Sequence, residues 1–145
     1  VRGQLIHLGW PAPALTRVLW SPDCYLVPWS DGTVLVGATV EEVGFDERAT
    51  VFGVRALIDA AQRVAPQVSE ASFLEARVGL RPATPDELPV IGPSAVFPGL
   101  VYACGHFRNG ILLAPLTASL IGDLLVDQIQ AELLDLTTPK RFGDC

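Results

Sequence analysis

The stretch Val101-Tyr102-Ala103-Cys104-Gly105-His106-Phe107-Arg108-Asn109-Gly110-Ile111-Leu112-Leu113-Ala114-Pro115 changes its pattern twice. Its first four residues are nearly all apolar, as in a strand buried on both faces. Gly105 ends that run and a short polar loop follows. From Gly110 to about Leu134 the spacing predicts a long helix, with Ile111, Leu112, Pro115, Ala118, Ile121, Leu125 and Ile129 on its buried side. Pro115 is placed in the opening turn, where backbone N–H groups lack partners. The glycines let a backbone approach a ligand closely. The free N–H groups and positive helix end suit an anionic or electron-rich ligand atom.

Before this unit the chain reads mainly as strands. Val1 to Leu8, Cys24 to Trp29 and Thr33 to Gly37 each read as one strand, and Ser30-Asp31-Gly32 makes a tight hairpin between the last two. A helix is predicted from about Ala49 to Ala65. Val51, Val54, Leu57, Ile58, Ala61 and Val64 share one face, Asp46 or Thr50 caps its start, and Pro66 stops it. Strands resume over Ser72 to Leu80, Leu88 to Ile91 and Gly99 to Cys104. The tail after Thr137 is polar and expected to fray. The order gives an α+β fold: an antiparallel-sheet domain with an amphipathic helix, followed by a strand–loop–helix.

The chain has 145 residues and a net charge of −6, with acids and bases scattered. No basic block is present to neutralise a run of phosphates, so nucleic acid is not an expected partner. Cys24, Cys104 and Cys145 form no CxxC pair, and His7 and His106 are the only histidines. Neither a disulfide framework nor a metal site follows, and Cys24 and Cys104 read as small buried hydrophobes. The most apolar stretch, residues 111–126, is broken by Pro115, Thr117, Ser119 and Asp123, so no membrane span is expected. No signal peptide is visible at the start and a cytoplasmic location is expected. The chain contains no methionine, so Val1 is expected to be internal to a longer product or exposed by processing.

A second segment carries chemistry: Gly79-Leu80-Arg81-Pro82-Ala83-Thr84-Pro85-Asp86-Glu87-Leu88-Pro89-Val90-Ile91-Gly92. An arginine closing a strand and fixed by a proline presents a rigid fork that binds a carboxylate through two parallel hydrogen bonds. The competing reading is a surface arginine paired with an acid such as Asp86.

The strings GLRPATPDELPVIG and GHFRNGILLAP resemble the C-terminal signature of the D-amino-acid oxidase superfamily, and most of all its glycine oxidases of thiamine biosynthesis. Cys24-Tyr25-Leu26-Val27-Pro28 and Val36-Gly37-Ala38-Thr39 fit the same pattern in the same order, and the resemblance spans roughly Val1 to Asp127. It implies a substrate domain over residues 1–98, the returning strand and helix of an FAD-binding domain over 99–134, and a tail over 135–145. It also implies that the Rossmann-like half lies before this chain. By the same resemblance Arg81 clamps the substrate carboxylate and Tyr25 hydrogen-bonds the substrate. Gly105, His106, Arg108, Asn109, Gly110, Ile111 and Leu112 line the flavin, and Arg108 and His106 are further candidates at the pocket entrance. The implied chemistry is hydride transfer from the α-carbon of glycine, a small D-amino acid or an amine to FAD, after which the imine hydrolyses and oxygen reoxidises the flavin. No side chain is assigned as an obligatory acid–base catalyst.

Two departures qualify this. The dinucleotide fingerprint G-x-G-x-x-G is missing, so this chain alone is expected to bind FAD weakly or not at all. Leu80-Arg81-Pro82 holds no cysteine of the kind that tethers flavin in sarcosine oxidase-like relatives, so non-covalent FAD is expected. Alternatives are a D-amino-acid dehydrogenase or sarcosine-type amine oxidase, or a non-catalytic module that completes a site on a partner chain. Self-association is expected through Val101 to Cys104 and the helix from Ile111, where apolar surface and a sheet edge would be left open.

Overall fold

β1 (Arg2–Gly9) is the central element of the first part of the chain, flanked by β4 (Thr33–Gly37) and β5 (Ser72–Leu80). With β2 (Leu19–Trp20) and β3 (Tyr25–Pro28) they form a five-stranded sheet in the order β2-β3-β4-β1-β5, antiparallel throughout. The computed structural model describes residues 1–127 and 132–143. It divides into two compact units, Val1–Leu80 and Arg81–Cys145, which are treated in turn.

In the first unit, the β3–β4 hairpin closes at Gly32, whose φ of 82° is strained for any side chain. Asp31 fixes the turn by accepting from the Thr33 N–H at 3.0 Å. Helix α1 (Val51–Val64) lies against one face of the sheet, where Ile6, Leu8, Leu26, Val34 and Val36 meet Leu57, Ala60 and Ala61. Thr50 is the helix cap, accepting from the Gly53 N–H. Pro66 begins a separate 3-10 turn (Pro66–Glu70) after the helix has ended. Leu57 and Ala61 are buried and Val54, Ile58 and Val64 pack against the same core, as the spacing predicts. Val51 is exposed instead, and Gly53 and Ala60 are buried in addition.

Gly53 is buried because of Gln4. Its side chain is completely buried on the helix side of β1. Nε2 donates to Glu41 Oε1 (2.7 Å) and Thr50 Oγ1 (3.0 Å), and Oε1 accepts from the Thr50 N–H (2.8 Å). A Cβ at position 53 would sit 2.1 Å from Gln4 Nε2, so only glycine lets the first turn of α1 approach. Arg2, also buried, donates to Glu41 Oε2 at 2.6 Å and to the Arg48 carbonyl at 3.0 Å. Burial pushes the Glu41 carboxyl up, but the hydrogen bonds from Arg2, Thr39 and Gln4 outweigh it and hold the group below the usual carboxylate range.

The second unit holds a two-stranded antiparallel sheet of β6 (Val90–Pro93) and β7 (Val101–Cys104). It continues with α2 (Gly110–Gly122), a π-helical turn (Asp123–Asp127), α3 (Leu133–Thr137) and a 3-10 turn (Pro139–Phe142). Its core is Ile91, Leu120 and Leu134, with Ile121 and Leu124 packed against it.

Three expectations change here. β7 is not buried on both faces: among the described residues it pairs only with β6, and Ala103 and Cys104 are exposed, whereas Cys24 is buried as expected. The predicted long helix is seen as α2 and the π-helical turn up to Asp127, Pro115 falls inside α2, and Ile111, Leu112 and Leu125 are exposed. Ile129 lies outside the described residues. The tail is docked, with Pro139 fully buried. No helix among the described residues is long and apolar enough to cross a membrane.

Gly53→Ala and Gln4→Leu should each lower stability by about 1–3 kcal/mol, the first by collision and the second by stranding buried polar partners. Urea unfolding checks this, with the midpoint expected to fall at unchanged slope.

Candidate functional site

Both sequence signatures lie in the second unit, and the backbone ties one to the other. Arg81, half-buried, follows directly on β5 and opens a loop whose prolines Pro82, Pro85 and Pro89 restrict φ. The loop closes on itself through Thr84: its Oγ1 donates to the Leu88 carbonyl at 2.7 Å, and its carbonyl accepts from the Glu87 N–H at 3.1 Å. The Phe107 N–H then donates to the Pro82 carbonyl at 2.9 Å. Gly105, buried with φ 76°, backs onto the same loop, and a Cβ there would stand 2.8 Å from Thr84 Cγ2. Phe107 itself adopts φ 49°, a left-handed conformation unusual for a bulky residue. The carboxylate-binding candidate and the glycine-rich loop are thus neighbours in one rigid backbone frame.

That loop leads into α2. Asn109 is the N-cap residue but makes no side-chain capping bond, and the first turn contains no acidic residue. The opening N–H groups and the positive helix end are therefore available to a ligand. Ile111 is 96% exposed and Leu112 77%. Arg108, Asn109 and Gly110 are exposed on the same loop. His106 is half-buried and turned towards the helix, its Nε2 2.9 Å from Thr117 Oγ1. An uncapped helix end without negative charge fits the electron-rich edge of a flavin ring.

Asp86 is engaged by Arg141, a partner the sequence reading did not name. Arg141 Nε donates to Oδ2 at 2.6 Å. This hydrogen bond, helped by the Leu88 N–H, holds the Asp86 carboxyl at about 2, below its ordinary 3.8. Among the described residues no group of three or more His, Cys, Asp or Glu could hold a metal ion.

Tyr25 lies in the first unit, on the face of the sheet opposite α1. In register it faces Gly37, and a Cβ at Gly37 would fall 2.6 Å from the phenol oxygen, so the ring lies directly over the glycine. Trp20 stacks on Tyr25 with centroids 5.8 Å apart and planes at 11°. Gly37 thus sets where the Tyr25 ring lies, and a glycine inside a β-branched strand is itself a signal of close approach. Arg77, on β5, gives its fork to Glu75, with Nε donating to Oε1 at 2.7 Å. That hydrogen bond holds the Glu75 carboxyl below its usual range.

A strand–loop–helix with an open helix end is joined to an arginine-bearing loop and follows an antiparallel sheet in the chain. The chain belongs to the DAO family of FAD-dependent oxidoreductases, matching it over residues 1–124. It is 45% identical over 137 residues to a bifunctional ThiO/ThiG protein of Nostoc sp., covering 92% of this chain and 21% of that relative. The fold is similar to the crystal structure of glycine oxidase from Geobacillus kaustophilus, with a TM-score of 0.81 and 34% identity over 99% of this chain and 38% of that one. Iminodiacetate oxidase from Chelativorans sp. BNC1 is also similar, with a TM-score of 0.84 and 30% identity over 95% of this chain and 38% of that one. The chain therefore spans well under half the length of these relatives.

Gly37→Ala should displace the Tyr25 ring and break the Trp20 stack, lowering the near-ultraviolet circular dichroism while the far-ultraviolet signal is kept. The Asp86–Arg141 pair makes a pH prediction. A depressed carboxylate stabilises the fold fully above its unfolded value of 3.8 and loses that contribution as pH falls through about 2. The difference in Tm between the native chain and Asp86→Asn should hold steady above that range and close within it.

Proposed function

We propose that this chain is the substrate-binding part of a longer FAD-dependent enzyme that oxidatively deaminates glycine or small D-amino acids and amines. The observation that carries the reading is the backbone tie between the Arg81 loop and the Gly105–Gly110 loop, the Phe107 N–H on the Pro82 carbonyl at 2.9 Å. Family membership and the likeness to glycine oxidase support it.

In this reading Arg81 grips the substrate carboxylate and Tyr25 donates a hydrogen bond to the bound substrate from its shelf over Gly37. The clamp fixes the α-carbon in one orientation, which lowers the entropic part of the barrier. Gly105, Asn109, Gly110, Ile111 and Leu112 face the flavin, and the α2 N-terminus favours negative charge on the ring edge nearest it. Arg108 borders the same pocket and His106 holds the loop to α2 through Thr117. When bound, FAD supplies the two-electron oxidation of the amine to an imine. It is held non-covalently, and its pyrophosphate cradle belongs to a preceding Rossmann-like half. Residues 1–98 then belong to the substrate domain, 99–134 to the FAD-binding domain and 135–145 to a tail. The likeness to iminodiacetate oxidase favours a second reading in which the substrate is a secondary amine.

The test is anaerobic addition of glycine to the flavin-loaded protein that joins this chain to the family's amino-terminal half. Bleaching of the flavin band is expected, and a band that stays unchanged with glycine, D-alanine and iminodiacetate overturns the reading. Arg81→Ala removes a charge-assisted hydrogen-bond pair of about 3 kcal/mol, so kcat/KM for glycine should fall on the order of 100-fold. Separately, the apolar side chains exposed on α2 favour self-association of the isolated chain. Sedimentation should show mass rising with concentration, and a clean monomer at high concentration counts against it.

A further inference from the structure

We propose that Arg141 is a positioning residue for substrate binding: it holds the Asp86–Pro89 arm of the loop that begins at Arg81 and so helps to set where the carboxylate clamp stands. The inference rests on the reading of Arg81 as that clamp. It concerns a residue beyond position 124, where the family match ends.

The guanidinium of Arg141 is 16% exposed and its donors converge on two segments. Towards the Arg81 loop, Nε donates to Asp86 Oδ2 (2.6 Å), and one terminal nitrogen donates to Asp86 Oδ1 (3.3 Å), the Leu88 carbonyl (2.7 Å) and the Pro89 carbonyl (3.0 Å). Towards its own segment, the other terminal nitrogen donates to the carbonyls of Thr137 (2.7 Å) and Thr138 (3.0 Å). The planar fork matches this set, whereas a lysine would reach only part of it. Thr138 caps the 3-10 turn by accepting from the Lys140 N–H, and Pro139 is buried beneath it against Gly92. The segment that carries Arg141 is therefore itself anchored.

The consequence is mechanical. Asp86 accepts from the Leu88 N–H at 3.1 Å and Glu87 adopts φ 60°, so the far arm of the loop is a tight turn, exposed at Asp86, Glu87 and Leu88 and buried at Pro89. Its near arm is fixed at Pro82 by Phe107. Thr84 closes the loop on Leu88, and Arg141 adds the ties at Asp86, Leu88 and Pro89. With Arg141 removed those ties are lost, and the place of Arg81 against the Gly105–Gly110 loop is less closely fixed.

The experiment compares Arg141→Met, Arg141→Lys, Asp86→Asn and Arg81→Ala in the flavin-loaded longer protein, reading KM and kcat for glycine and inhibition by acetate. For Arg141→Met, KM and the acetate inhibition constant are expected to rise by about tenfold or more, with kcat within about threefold and the flavin spectrum unchanged. Arg141→Lys should lie between it and the native protein. If Arg141→Met fails to fold or to hold flavin, Asp86→Asn decides by the same criteria. Unchanged KM in these variants, or kcat and flavin content falling together at unchanged KM, overturns the inference provided Arg81→Ala still raises KM. If Arg81→Ala also leaves KM unchanged, the clamp reading itself is wrong.

Discussion

A carboxamide taken wholly out of water needs partners for its donors and its acceptor, and Gln4 meets that demand in a way that shapes everything around it. Its partners, Glu41 and Thr50, come from the segment between β4 and α1. The first turn of α1 must therefore lie directly over β1, and Gly53 is the residue that permits it. From that contact follow the phase of α1, the choice of Ala60 and Ala61 under it, and the assignment of one sheet face to the core. The opposite face is left for Tyr25 and Gly37. A polar joint thus decides which side of an otherwise ordinary antiparallel sheet is left uncovered by the helix.

The second unit is organised by the same kind of constraint. Its apolar core is small, and the Arg81–Pro89 loop contributes little to it. Backbone carbonyls and one carboxylate hold that loop instead, at Pro82 by Phe107 and at Asp86, Leu88 and Pro89 by Arg141. Hydrogen bonds have directional preferences that apolar contacts lack, so such a frame holds the Arg81–Pro89 loop against the Gly105–Gly110 loop with little freedom. Binding and redox chemistry would then be divided: the protein orients the substrate, and the cofactor carries the electrons.

Much of this was legible in the sequence because it is local. The β3–β4 hairpin follows from Asp31-Gly32 between β-branched runs, the Thr50 cap from its position before an amphipathic run, and the junction at Gly105 from a change of period. What escaped was set by distant partners. The burial of Gly53 in the first turn of α1 depends on Gln4, whose partner Thr50 is 46 residues away. The docked tail depends on Arg141 reaching Asp86 across 55 residues, and a polar C-terminal segment by itself reads as frayed. β7 and Ile111 read as buried from their apolar composition, but that composition does not say what covers them, and the same stretches were expected to stand open in this chain alone. For the site, the two signature strings identified the loops. The tie between them runs through the backbone of Phe107, where side-chain identity carries no signal.

In the proposed function this chain supplies the substrate clamp and the flavin-facing loop, while the grip on FAD lies elsewhere in a longer protein. The visible absorption spectrum of the purified chain, after mixing with excess FAD and removing what is free, tests this directly. No retained flavin band is expected, and a normal band is expected once the amino-terminal half is joined. A band retained by this chain alone, and bleached by glycine without oxygen, would contradict it.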